Sequence, residues 1–149
     1  MASMTTPGPI GARFLAQIID ALLLMPAVLV LDALFGSQEG LGTIAALILN
    51  IAYYVYFIGG QWQATPGKRI MGVYVTDIGG DPLTYEGASL RFFSFFIPNL
   101  PVYASLSDMA TLSLITWLHI LWFLPMLLTE KKRGVHDFLA YTQVWEGRV

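Results

Sequence analysis

The chain has 149 residues, 56% of them hydrophobic and only 12% charged, with a mean hydropathy of +0.63 and a net charge of −2. Soluble domains carry about 25% charged residues, so the apolar excess implies surface facing lipid, and the near-neutral charge excludes nucleic-acid binding through phosphate neutralisation. Cysteine is absent, which excludes disulfides, thiol catalysis and thiolate metal sites.

In chain order, Arg13 precedes an apolar run from Phe14 to Phe35, interrupted by Asp20 and Asp32. It exceeds the roughly 7–15 residues of a signal-peptide core, so a retained transmembrane helix is expected. Gly36 to Gly40 break the pattern, and Thr43–Ile58, closed by Gly59-Gly60, is a second expected span. The segment 61–89 is not membrane-like. Thr65-Pro66-Gly67 signals a turn, and Met71–Thr76, rich in β-branched and aromatic residues, predicts a strand ended by Gly79-Gly80-Asp81-Pro82. Leu90–Leu106 is aromatic but contains Pro98 and Pro101; it is expected as a short, proline-kinked third span whose freed carbonyls neighbouring helices must satisfy. Met109–Leu128 is a fourth span. Tyr141–Trp145 has strand character again, and a lone strand would leave its backbone unpaired, so the two strands are predicted to pair. The fold class is therefore an all-α integral membrane protein: a single domain, 1–149, holding a four-helix bundle with a small cytoplasmic two-stranded β element.

Charge sets the parity. The Lys and Arg residues fall at Arg13, Lys68-Arg69 with Arg91, Lys131-Lys132-Arg133 and Arg148. Basic groups favour the cytoplasmic side, and only four spans put every cluster there, with segments 1–13, 61–89 and 129–149 and both termini cytoplasmic.

Arg13, Gln17 and Asp20 share one helix face. A carboxylate inside a membrane helix costs roughly 2.5–3.5 kcal/mol, so Asp20 needs a partner or a water-filled cavity. One reading is a proton- or cation-binding carboxylate poised by Arg13; the other is a lock in which Asp20 bonds to another helix. Asp32 lies near the outer interface. Asn50 is central in span two, where packing glue is the expected role, and His119 is central in span four, where an imidazole is able to shuttle protons. Gly67-Lys68-Arg69 lacks the GxxxxGK[ST] phosphate loop; its basic residues, like Lys131–Arg133, are expected to face anionic headgroups. His136 and Asp137 are adjacent and do not share a helix face, so no hydrolase-like couple is expected. No nucleophile elbow and no metal-ligand spacing occurs, so neither an enzyme, a cofactor nor a metal is expected. Asp137, at the end of span four, is placed to meet Arg13.

Three blocks resemble the RDD family of membrane proteins, named for one arginine and two aspartates. They are residues 11–20 with Arg13 and Asp20; Thr65 to Val73 running on through Asp81-Pro82-Leu83; and Lys131 to Thr142 with Asp137. Glu130 and Tyr141 depart from the pattern, where an aspartate and a small residue are usual. The resemblance implies a bacterial-type protein of the cytoplasmic membrane. Some members are regarded as cation/proton antiporters and others accompany larger assemblies. Three functions follow as expectations. The first is monovalent cation/proton exchange by a homo-oligomer, with Asp20 exchanging, Arg13 tuning it and Asp137 gating or pairing at the mouth. The second is a non-catalytic accessory or scaffold subunit of a larger complex. The third is lipid or metabolite handling through the basic cytoplasmic face.

Overall fold

The computed structural model describes residues 6–35, 40–99 and 109–147. Helix α1, Ile10–Phe35, and α2, Leu41–Gly59, are long and apolar enough to cross a membrane. Their large side chains point outward: Phe14, Leu22, Leu29 and Ile48 are all exposed. On α1 the buried residues are Ala16, Asp20 and Leu24, one stripe at a spacing of four. That stripe is the contact face for the rest of the molecule.

Between α2 and the next long helix lies a compact insert. Thr65 caps the short helix α3, Pro66–Ile70, with Pro66 in the first turn, where its missing N–H is not needed. Strand β1, Val73–Asp77, follows. It pairs antiparallel with β2, Thr142–Glu146, in the register Val75 opposite Val144, so the predicted strand pairing is observed. The N-terminal segment joins the other edge of β2: Gly8 N–H donates to the Val144 carbonyl at 2.9 Å, and Glu146 N–H to the Thr6 carbonyl at 3.0 Å. Gln63 stitches the insert together. Its amide donates to the carbonyls of Gly60 at 2.7 Å and Leu83 at 3.0 Å, and its side-chain oxygen accepts from Leu83 N–H. A small apolar core of Ile58, Val73, Val75, Leu83, Ala88 and Val144 fills the space beneath the sheet.

Helix α4, Tyr85–Phe96, begins five residues before the expected Leu90. Thr84 caps it, accepting from Gly87 N–H at 3.2 Å, and this cap lies ahead of the apolar run that hydropathy detects. A 3₁₀ turn, Ile97–Asn99, continues the helix; the remainder of the expected third span, 100–106, lies outside the described residues. The expected fourth span divides into α5, Met109–Phe123, and the one-turn helix α6, Pro125–Leu128, because Pro125 has no N–H to continue the ladder. A short helix α7, Val135–Leu139, then leads into β2. The described structure is thus mostly helical, with two helices of spanning length and a two-stranded sheet.

Pro98 also lacks an N–H, which frees the Ser94 carbonyl four residues back. The indole N–H of Trp122 on α5 donates to that carbonyl at 3.1 Å, so a neighbouring helix does satisfy the break. Replacing Trp122 by Phe keeps the ring and leaves the carbonyl unsatisfied. The expected outcome is a loss of about 1–2 kcal/mol, seen as a lower Tm in detergent for Trp122→Phe, with little effect from truncating the exposed Trp117.

Candidate functional site: two buried carboxylates and their seats

Asp20 is fully buried. Tyr53 O–H from α2 donates to its Oδ1 at 2.7 Å, Gly67 N–H from α3 to the same oxygen at 2.8 Å, and Thr65 O–H to Oδ2 at 2.5 Å. The Thr65-Pro66-Gly67-Lys68 sequence makes this seat. Thr65 starts the helix and offers its hydroxyl; Pro66 sets the first turn; Gly67 lets the backbone reach the carboxylate. A Cβ on Gly67 would overlap the Ala16 carbonyl and lie 2.7 Å from Asp20 Oδ1. Beside it, Gln17 donates to the Tyr54 hydroxyl at 2.7 Å. Arg13, expected to poise Asp20, points elsewhere: among the described residues the two form no ion pair, and neutral donors hold Asp20 instead. The spacing of seven puts them on one face but about 10 Å apart along the axis.

Asp137 is the second seat, also fully buried. It lies in the first turn of α7 and reaches back to accept from Gly134 N–H at 3.0 Å. Arg13 Nη1 lies 3.3 Å from Asp137 Oδ2, and Arg91 Nη1 donates to Asp137 Oδ1. Arg91 also donates to the Thr142 hydroxyl, and Arg13 to the carbonyls of Lys132 at 2.8 Å and Val144 at 3.2 Å. Arg133 closes the outside, donating to the carbonyls of Asp137 and Thr142 at 3.0 and 3.1 Å while stacking on Phe138. One carboxylate therefore joins α1, α4 and α7 and, through its arginines, β2. Burial by itself would raise the Asp137 pKa; Arg91 above all, with Arg13 and the Gly134 amide, holds it well below the usual carboxylate range.

His136 Nε2 lies 3.5 Å from Asp137 Oδ1. This is an approach of neighbouring side chains, and no hydrogen bond between the two is described. The ring packs edge-on against Phe95 and Phe123. Burial lowers its pKa to about 3; Asp137 opposes the shift, and Arg91, Arg13 and Lys68 add to it. The imidazole is neutral at physiological pH, and its Nδ1 is buried without a hydrogen-bond partner.

Lys68 is 9% exposed, far more buried than expected of a basic surface residue. It lies over the Tyr54 ring at 5.6 Å. Burial and then Arg91 lower its pKa to about 8, against the pull of Asp20 and Asp137. Arg69, on the same turn, is exposed and stacks on Trp62 at 4.3 Å.

The other expected residues lie apart from these seats. The described hydrogen bond of His119 is from its own helix, Nδ1 to the Ile115 carbonyl at 2.8 Å. Asn50 donates to the Ala46 carbonyl four residues back at 2.8 Å, so its described bond lies within its own helix and not across an interface. Asp32 is exposed, in a shallow groove with Gly42, Thr43 and Ala46. Among the described residues no group of three or more His, Asp or Glu could hold a metal ion. In the sequence Arg91 stands out only as one of the basic residues that count the spans. The signal it carries is energetic: an arginine in an aromatic helix needs a buried anion.

Apolar helices of spanning length, outward-facing aliphatic side chains and ionic seats joining their ends to a small sheet define an α-helical protein of the membrane type. The family model described as "RDD family" matches residues 7–141, and the chain belongs to that family. No curated protein and no solved structure matches it.

Two outcomes follow. Ala at Gly67 must push α3 off α1, so Gly67→Ala is expected to cost about 3 kcal/mol or more, read as a fall in Tm or failure to accumulate in membranes. The second concerns acid. Only the unfolded chain takes a proton on His136 between its ordinary pKa of 6.5 and the folded value of about 3, so stability falls as pH drops through that window. From pH 6.5 to 5 the loss is about 2 kcal/mol. His136→Phe should flatten the Tm profile there and leave the steeper loss below about pH 4, where Asp137 begins to be protonated in the unfolded chain.

Proposed function

We propose that this chain is a non-catalytic accessory or scaffold subunit of a larger assembly in the cytoplasmic membrane. It would cross four times, with both termini and the β element inside. The observation that carries this reading is that both oxygens of each buried carboxylate are partnered. Asp20 has three donors on its two oxygens, and Asp137 has two arginines and an amide. A carboxylate that exchanges ions must shed its partners in each cycle, whereas one that fastens helices keeps them. The basic clusters at Lys68-Arg69, Arg91 and Lys131–Arg133 support the four-span topology.

A second reading, exchange of a monovalent cation for protons, is favoured by Lys68. Its buried amine titrates near physiological pH within reach of Asp20 and Asp137. Four helices are too few to enclose an alternating-access pathway, so this reading requires a homo-oligomer or a partner.

The test is proton flux in proteoliposomes driven by sodium, lithium or potassium gradients, for wild type and Asp20→Asn. The scaffold reading expects folded wild type to give no flux above empty liposomes. Ion-driven flux that disappears in a still-folded Asp20→Asn would overturn it in favour of exchange.

A further inference from the structure

Three cations, Arg13, Lys68 and Arg91, lie within electrostatic reach of one another and of only two carboxylates, Asp20 and Asp137. His136 is neutral, so the buried cluster carries one uncompensated positive charge. The arginines are spoken for: both donate to Asp137. Asp20 is filled by uncharged donors. The surplus therefore falls on Lys68, whose ammonium has no carboxylate within 4 Å and no hydrogen-bond acceptor among the described residues. A cation this well buried is expected to have an anion or polar acceptor. The side chain is not fully sealed, since Lys68 keeps a residual 9% exposure.

Depth identifies the source of the missing acceptor. Gly67 bonds to Asp20 and abuts Ala16, residues that lie about 9–15 Å along α1 from its first residue and within its apolar run. Helix α3 thus turns back beside the end of the bundle instead of projecting from it. On the four-span topology proposed above, this level is the boundary between hydrocarbon and headgroups, where long basic side chains meet lipid phosphate. Exposed Trp62, with Arg69 stacked on it, marks the same level, since indoles favour that layer.

We propose that Lys68, supported by Arg69, binds the phosphodiester of an anionic phospholipid, which supplies the one negative charge the buried cluster lacks. The site stands independently of the scaffold and exchange readings.

The experiment is native mass spectrometry of detergent-purified protein titrated with phosphatidylglycerol, phosphatidylcholine or inorganic phosphate. For wild type, phosphatidylglycerol is expected to bind at least tenfold tighter than phosphatidylcholine. Lys68→Gln should remove that preference, while Lys131→Gln, at an exposed lysine, should keep it. Inorganic phosphate that displaces the lipid from wild type but not from Lys68→Gln supports the phosphate site and assigns it to a free anion. Equal loss in Lys68→Gln and Lys131→Gln would overturn the proposal, since binding would then follow overall surface charge. If Lys68→Gln does not accumulate, wild-type Tm in the two lipids decides: a rise of several degrees in phosphatidylglycerol nanodiscs supports the site, and equal values overturn it.

Discussion

The structure depends on one buried carboxylate shared by two arginines. Asp137 brings together Arg13 from the start of α1, Arg91 from α4 and the first turn of α7. Removing three charges from water costs several kcal/mol per ion, and their attraction offsets this only when the remaining donors and acceptors are also filled. That condition is largely met, with carbonyls of Lys132 and Val144 and the Thr142 hydroxyl taking the outer arginine N–H groups. The ion cluster thereby fixes where the sheet sits against the helices. The apolar core of Ile58, Val73, Val75, Ala88 and Val144 packs the sheet from beneath, and the ionic cluster adds direction to that contact.

Asp20 repeats the principle with uncharged donors. Its seat ties α1 to α2 through Tyr53 and to α3 through Thr65 and Gly67. The two aspartates thus anchor the two segments that carry the strands, Asp20 the one that follows α2 and Asp137 the one that follows α6. The strands β1 and β2 then meet because both of their leading helices are already held. Lys68 feels both seats, which makes this end of the molecule one electrostatic unit.

Hydropathy and β-branched runs revealed much of this in advance. The first two spans and the strand pairing follow from residue type and period, since burial in lipid and in a sheet each select a composition. The seats followed only in part. Arg13, Asp20 and Asp137 stand out as charges in apolar surroundings, but partner choice is a three-dimensional property. Arg13 and Asp20 share a face and still bond to different elements, because α3 reaches Asp20 first. Arg91 was legible as a costly charge but not as the second arm of the Asp137 pair, and Lys68 read as a surface residue because the turn that buries it depends on Gly67 packing against Ala16. The early start of α4 escaped because a threonine cap has no hydropathy.

The most direct test of this account is a double-mutant cycle between Arg91 and Asp137, with stability measured for Arg91→Met, Asp137→Leu and the pair. If the shared carboxylate organises the fold, each single change leaves a buried charge unpartnered and costs about 3–5 kcal/mol, and the double variant costs clearly less than the two together. Single changes that are mild and simply additive would contradict it, and would mean that apolar packing positions these helices without the ionic seat.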